Sequence, residues 1–352
     1  MEKVGIILVN YKDYAKKYLK DCYQSILNSE YKNWELVIVD NQSSSETYEY
    51  LKSNAKEAKI IRNEENDGFA KGNNDAMKYF LEKNTPYILL LNMDAYLDPY
   101  AISELLQVIK EDKYVSGVQA RLMLESDKKR INSLGNISNF LGYGYCSKYN
   151  EVYKGKNKLS DYIAYPSGAA VLLKTEALKE IGFFDEKLWM YNEDQDLAWR
   201  LWLSGYSCKI AYNSVAYHKY EFGRSISKYY YMDRNRIIVA FKNYSLPSLL
   251  IFFPAFFFTE ISSLLFAWRG GWLKEKLKVW LFFFNFKNWF YLIKARKKTQ
   301  KLRKRKDSEI LKYFSGKITH QEVDNFVLKY IANPILQVYF SICKSILKLL
   351  NF

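Results

Sequence analysis

The sequence predicts an α/β fold on a mostly parallel sheet, followed by a helical region of membrane-seeking composition. Three observations carry this. Short apolar runs alternate with helical patterns from Met1 to about Tyr244, each run ends in polar residues, and the composition changes at Pro247. Two segments follow: 1–244, a catalytic α/β domain, and 245–352, an apolar and amphipathic helical region.

Lys3–Tyr11 (KVGIILVNY), Trp34–Ser43 (WELVIVDNQS), Ala58–Asn66 (AKIIRNEEN) and Pro86–Ala95 (PYILLLNMDA) read as strands, rich in Ile, Val and Leu and closed by turn residues. Asp13–Ser29, Ser45–Ala55 and Ala70–Lys83 between them have helical spacing. Strict alternation of this kind argues for parallel strands joined by right-handed crossovers. Near-continuous apolar strands are those covered on both faces.

Charge and cysteine content narrow the function classes. The net charge of +15 is concentrated in KARKKTQKLRKRK, Lys294–Lys306, directly after the apolar VWLFFFNFKNWFYLI. That order suits an anionic membrane surface, and no helix-turn-helix, zinc-finger or RNP pattern supports nucleic acid as a partner. The four cysteines have no CxxC spacing, which argues against a zinc site and fits a reducing compartment. The first residues do not resemble a signal peptide, so the expected location is the cytoplasmic face of the cell membrane. Leu246–Trp268 has the length of a span, about 20 apolar residues. Glu260 and Pro254 interrupt it, and a carboxylate at mid-span is costly in hydrocarbon. A buried or interfacial helical hairpin is the favoured reading over a single transmembrane helix. Val323–Phe352 has amphipathic spacing, a stripe that serves as core, as a contact between copies in a homo-oligomer, or against lipid.

In a parallel sheet, ligands bind beyond the carboxyl ends of the strands. The residues gathered there are Val9, Asn10 and Tyr11; Asp40, Asn41 and Ser43; and Gly68, Phe69, Ala70, Gly72, Asn73 and Asn74 of NDGFAKGNN. Asn92 and Asp94 follow the fourth strand. NDGFAKGNN is neither a P-loop nor a GxGxxG motif, but Gly68 and Gly72 let backbone approach a ligand closely. Asn92 and Asp94, two apart in extended backbone, point the same way. Oxygen ligands so placed suit Mg²⁺ or Mn²⁺ carrying a diphosphate. His218 ends another strand-like run. It is either structural or, coupled to Asp94 and a diphosphate, a metal or phosphate contact. Gly168, in PSGAAVLLK, leaves space for a sugar.

These pieces, with NEDQDLAWRLWLSGY and VAYHK, resemble in order the family 2 glycosyltransferases of the rhamnosyltransferase-like type, over roughly Lys3 to Tyr244. The resemblance implies a GT-A fold, a nucleotide-diphospho-sugar donor, a divalent metal and inversion at the anomeric carbon. It matches Asn10, Asp40, Asn41 and Asn73 or Asn74 to nucleotide contacts, Asn92–Met93–Asp94 to the metal motif, and Asp194 of the Glu193–Asp194 pair to the base. Met93 stands where the family usually has proline. The family's rhamnose members tend to use dTDP-L-rhamnose, and a UDP-hexose fits the residues equally.

LWMYNEDQDLAWRLWLSGY, Leu188–Tyr206, holds three carboxylates among tryptophans. It lacks the glycine and distal glutamate of a calcium loop. Asp194 is the expected base with Glu193 beside it, and Asp196 the helix-surface partner of Arg200, four residues on. The expected function is transfer of a sugar to a lipid-linked or cell-surface glycan. The alternative is a catalytically silent nucleotide-sugar-binding scaffold at the membrane.

Overall fold

The protein is described by a computed structural model covering residues 1–219, 226–319 and 326–352. Val323, Asp324 and Asn325 of the C-terminal amphipathic stretch lie outside the described residues. The first elements are β1 (Val4–Tyr11), α1 (Tyr14–Leu27), β2 (Trp34–Asn41), α2 (Ser45–Asn54), β3 (Lys59–Asn63), α3 (Gly68–Glu82) and β4 (Tyr87–Leu91). They are the strands and helices that hydrophobic periodicity predicts. There follow β5 (Ala95–Leu97), α4 (Ala101–Lys110), β6 (Val115–Leu124), β7 (Ile131–Ser133), β8 (Asn136–Ser138), β9 (Gly144–Cys146), β10 (Ser160–Tyr162), β11 (Ala170–Lys174), α5 (Thr175–Ile181), α6 (Glu193–Leu203) and β12 (Ser207–His218). The C-terminal part is helical: α7 (Ile226–Asn243), α8 (Leu246–Arg269), α9 (Leu273–Phe284), α10 (Phe286–Lys301), α11 (Asp307–Ile310) and α12 (Asn333–Leu349).

The chain divides into two compact units, one of Met1–Asn136, Cys146–Leu201 and Tyr206–Glu221, the other of Ile137–Tyr145, Trp202–Gly205 and Phe222–Phe352. The first unit is built on one sheet with the path β10-β12-β6-β11-β4-β1-β2-β3, to which β5 adds beside β12 and β7 beside β6. β1 pairs in parallel with both β2 and β4, so the chain reverses its direction of travel across the sheet at β1. A crevice opens at such a switch point, beyond the strand ends. β11 departs from strict alternation: it runs antiparallel between β4 and β6. The core face holds Leu8, Leu36, Ile38, Leu89, Leu172 and Val118 of the sheet with Leu19 of α1 and Leu105 of α4, all fully buried. Each such side chain contributes about 1.5–3 kcal/mol by leaving water.

The second unit has an aromatic centre, in which the Phe140 ring lies 5.2 Å from both Phe252 and Phe340. Ser245 starts α8 by accepting a hydrogen bond from Ser248 N at 3.4 Å, with Pro247 in the first turn. α8 is 24 residues long and passes a length-and-hydropathy test for a span. Its carboxylate is held by protein. Lys276 Nζ donates to Glu260 Oε2 at 2.6 Å and to Asp233 Oδ2 at 2.7 Å, and Trp280 Nε1 donates to Glu260 Oε2 at 3.1 Å. Arg236 pairs with the same two acids, so two buried cations and two carboxylates balance.

Part of the basic run, read from sequence as suited to an anionic membrane surface, is engaged within the protein. Arg296 donates to the carbonyl of Tyr244 at 2.7 Å, and Gln300 to those of Lys242 and Asn243 at 2.8 and 3.1 Å. Arg303 reaches Asn243 O and pairs with the buried Asp307 at 2.8 Å. These are the last carbonyls of α7, which no intrahelical N–H satisfies. The arginines of the run therefore serve packing, while Lys294, Lys297, Lys298 and Lys301 are exposed.

Removing one member of a buried ion cluster leaves uncompensated charge, at a cost of about 3–5 kcal/mol. Glu260→Ala is expected to lower unfolding free energy by about that amount in chemical denaturation. Loss of less than about 1 kcal/mol, the worth of an exposed pair, would show the cluster is not structural.

Candidate active site

β1 and β2 end on a buried polar network. Asn10 Nδ2 donates to Asp40 Oδ1 at 2.7 Å, and Asn10 Oδ1 accepts Ala15 N of α1 at 2.8 Å. Ser43 Oγ donates to Asp40 Oδ2 at 2.7 Å, with Arg62 Nε 3.8 Å from the same oxygen. Asn10 and Asp40 are fully buried, and both are held in place by backbone or side-chain partners as a buried polar pair requires. Val9 is half-buried and Tyr11 is exposed at the same edge.

The glycine-rich segment begins α3. Asn41 Nδ2 donates to Gly68 O at 2.9 Å, and a side chain at Gly72 would meet that Nδ2 at the same distance. Gly68 has φ +80, and a Cβ there would sit 2.4 Å from Trp189 Cδ1. Only glycine satisfies both demands. Asn73 and Asn74 have side chains committed to protein. Asn73 Nδ2 donates to Phe69 O at 2.8 Å; Asn74 donates to Phe184 O and accepts Phe184 N, each at 3.0 Å. Asn74 thereby clamps the turn after α5 to α3.

That turn leads to the acidic motif. Trp189 lies at φ 64 and ψ −59, and Met190 N donates to Leu188 O at 2.7 Å. This is a γ-turn of the strained hand, and a residue so held costs on the order of 1–3 kcal/mol. Tyr191 and Asn192 also have positive φ, 67 and 63. Ala70 N donates to Trp189 O at 3.0 Å, and Trp189 Nε1 to Asn66 O at 3.3 Å, so the contorted turn is fixed against the start of α3. It delivers Glu193, Asp194 and Asp196 to the first turn of α6.

The three carboxylates have different surroundings. Asp196, fully buried, accepts Arg200 Nε at 2.9 Å, and Arg200 also donates to the carbonyls of Ile181, Gly182 and Phe183. The expected pair is present but lies inside the protein rather than on the helix surface, because Arg200 is needed to satisfy the last carbonyls of α5. Asp194 Oδ1 accepts Gln195 N at 2.8 Å and its Oδ2 accepts Gly168 N at 3.3 Å. Burial pushes the Asp194 carboxyl up, to about 6, against the pull of those N–H groups. Glu193 is buried with Oε2 unpartnered; burial first, then the Asp194 charge, holds its carboxyl well above the usual range.

Across the switch point, His218 Nε2 lies 3.2 Å from Asp94 Oδ1 and its Nδ1 3.0 Å from Asn132 Oδ1. Burial pushes the Asp94 carboxyl up, yet the His218 and Tyr14 hydrogen bonds outweigh it and leave the group below the ordinary value. Asn92 connects the two acidic sites through backbone, since Asn92 N donates to Ala169 O at 2.9 Å, next to Gly168. Met93, where proline is usual, is buried, while the flanking Asn92 and Asp94 are half-buried.

Two positioning residues escape sequence reading. Buried Gln119 of β6 accepts Ser167 N at 2.7 Å, setting the backbone next to Gly168. A glutamine in an apolar strand was the available signal. Asn132 orients His218, and it lies in a segment whose pattern gives no element.

Residues 5–182 match the model of Glycosyl transferase family 2, half of the chain. The poly-beta-1,6-N-acetyl-D-glucosamine synthase of Staphylococcus epidermidis is 26% identical over 213 residues, 59% of this chain and 48% of that protein. The low-salt glycan biosynthesis hexosyltransferase Agl10 of Haloferax volcanii is 25% identical, over 57% of this chain and 62% of its own. The chain thus spans about half the length of the first of these relatives. Among solved structures, GalNAc-T7 with UDP, GalNAc and Mn²⁺ superposes with TM-score 0.53 at 14% identity, over 67% of this chain and 48% of that one. S. aureus TarS 1–349 gives 0.51 at 17%, over 98% and 88%. At such identities the likeness shows the fold, which is GT-A. The match runs from β1 to α5 and covers half of the chain, and on that ground the chain belongs to glycosyl transferase family 2.

Proposed function

We propose that the protein is an inverting glycosyltransferase moving a sugar from a nucleotide-diphospho-sugar, dTDP-L-rhamnose or a UDP-sugar, to a lipid-linked or cell-surface glycan. One observation carries this: a buried carboxyl raised to about 6 at Asp194, linked through Gly168, Ala169 and Asn92 to a lowered carboxyl at Asp94. Paired acids pushed apart by environment divide the labour of acid–base chemistry.

Asp194, ionised at neutral pH, takes the proton of the acceptor hydroxyl as that oxygen bonds the anomeric carbon and the carbon–diphosphate oxygen bond breaks. A positioned base is worth about 10²–10⁴-fold. Gln195 N and Gly168 N orient the carboxylate; burial and the Asp194 charge hold the Glu193 carboxyl well above its usual range, which disfavours a second charge beside it. Asn10, Asp40 and Asn41, buried and bonded within the protein, shape the strand ends on the nucleotide side, where Gly68 and Gly72 keep the backbone close.

Asp94 and His218 fit a divalent cation shared with substrate. They offer one carboxylate and one imidazole, and no group of three or more His, Cys, Asp or Glu converges among the described residues. Mg²⁺ and Mn²⁺ are commonly held by one or two protein ligands, with phosphate oxygens and water completing the set. Once bound, the cation supplies Lewis-acid stabilisation of the leaving diphosphate. GalNAc-T7, which shares the fold, is solved with UDP and Mn²⁺, in keeping with this assignment.

A membrane partner is supported by the second unit. Leu250, Phe253, Phe258 and Leu265 of α8, Leu281 and Phe284 of α9, and Phe286 and Phe290 of α10 are all more than half exposed. Exposed apolar side chains on this scale mark a binding surface, and the exposed lysines of α10 suit anionic headgroups. With Glu260 held by Arg236 and Lys276, α8 lies along the surface as a monotopic element.

Asp194→Asn should lower kcat by at least 10²-fold while leaving nucleotide affinity within a few-fold. Because the base acts only when ionised, wild-type rate should fall as pH drops through about 6. Near-normal turnover in the variant would remove Asp194 from the role of base. Asp94→Ala should weaken UDP or dTDP binding, read by thermal shift, only when Mg²⁺ or Mn²⁺ is present; equal weakening in chelator would point to a disturbed loop. Lys294, Lys297, Lys298 and Lys301 changed together to Glu should abolish pelleting with phosphatidylserine vesicles and preserve donor binding. Retained pelleting would show that these lysines do not read the headgroups.

A further inference from the structure

A polar cavity lies on β6 and β12, in the first unit. β6 and β12 pair in parallel, with Arg121 opposite Val215 and Met123 opposite Tyr217. These residues face away from the main core and form, with Ile131, a small separate apolar cluster. The cavity beside it has a volume of about 260 Å³ and is lined by Arg121, Met123, Lys128, Lys129, Tyr153 and Tyr217 among others.

Its charges have one sign. The Arg121 guanidinium stacks on the Tyr153 ring, 4.0 Å from the centroid, and Lys128 Nζ lies 4.9 Å from the Tyr217 centroid. None of the described lining residues is acidic. Arg121 Nε is buried with no hydrogen-bond partner. A buried donor left unmade costs stability, more so on a charged group, and a guanidinium fork matches a carboxylate or phosphate with two parallel bonds. The aromatic walls suit the apolar face of a sugar ring. The volume is a little below the roughly 300 Å³ at which pockets for drug-sized ligands begin.

We propose that this cavity is a subsite for a sugar bearing a phosphate or carboxylate group, with Arg121 reading the anion and Tyr153 and Tyr217 the ring. The assignment rests on the glycosyltransferase reading, in which the anionic sugar belongs to the acceptor glycan. The cavity is near the reacting end of the sheet in the chain itself: Tyr217 precedes His218, and β12 sets Tyr217 opposite Tyr96 and His218 opposite Ala95, which follows Asp94.

The test measures thermal stabilisation of the full chain, with UDP or dTDP and Mn²⁺ held at saturation so that the donor crevice is filled. Glucose 1-phosphate, glucuronate, inorganic phosphate and glucose are then titrated. A ligand that binds the folded state raises its apparent stability. The expected result is a saturable shift with glucose 1-phosphate or glucuronate, at least tenfold tighter than with inorganic phosphate, and none with glucose. Arg121→Met should weaken that response at least tenfold, and Lys128→Ala with Lys129→Ala, both exposed, several-fold. The nucleotide shift should stay unchanged in all three. Inorganic phosphate binding as tightly as the sugar anions would overturn the assignment to a sugar, and an unchanged response in Arg121→Met would overturn the site. Loss of the nucleotide shift in the wild type would instead sink the donor reading, which keeps the two failures distinct.

Discussion

The antiparallel insertion of β11 between β4 and β6 is the constraint on which the candidate site depends. Running against β4, it begins where β4 ends, so that Ala169 bonds Asn92 and Gly168 bonds Asp194. A parallel strand there would have presented its other end. Two acids a hundred residues apart are thereby brought to one strand edge, Asp194 by its carboxylate accepting Gly168 N and Asp94 by the main-chain bond of Asn92 two residues before it. Gln119 stiffens the same edge from β6 by accepting Ser167 N.

Opposed electrostatics then follow from local detail. Asp94 and Asp194 are both removed from bulk water, which disfavours charge on either. Asp94 recovers its charge through His218, itself oriented by Asn132. Asp194 receives two backbone N–H groups and no cation, and its carboxyl stays raised. The strained Trp189 turn acts in the same way: three non-glycine residues just before α6, Trp189, Tyr191 and Asn192, hold positive φ and aim the start of the helix.

The helical unit illustrates a different balance. Its charges turn inward, with Arg236 and Lys276 against Asp233 and Glu260 and the arginines of the basic run against the carbonyls of α7. Its phenylalanines and leucines turn outward on α8, α9 and α10. A soluble helical bundle has the reverse arrangement. Composition alone could count the charges but could not say which of them were already spent within the protein.

The sequence by itself determined the alternation of strands and helices, the polar strand ends, the family, and the candidate pair Asp94 and Asp194. The alternation and the polar ends follow from periodicity and from residue types adjacent in the chain; the family and the acid pair follow from the resemblance of its motifs, in order, to a known family. Tertiary structure alone decided that Asn74 clamps a turn, that Asp196 and Arg200 are buried, that Asn132 and Gln119 position the site, and that Arg121 lines a cavity, stacked on Tyr153 with its Nε unbonded. Each of these depends on which groups meet across dozens of residues. Hydrogen-bond partners at that range are set by strand order and register, and no sequence pattern in the chain encodes the reversed direction of β11.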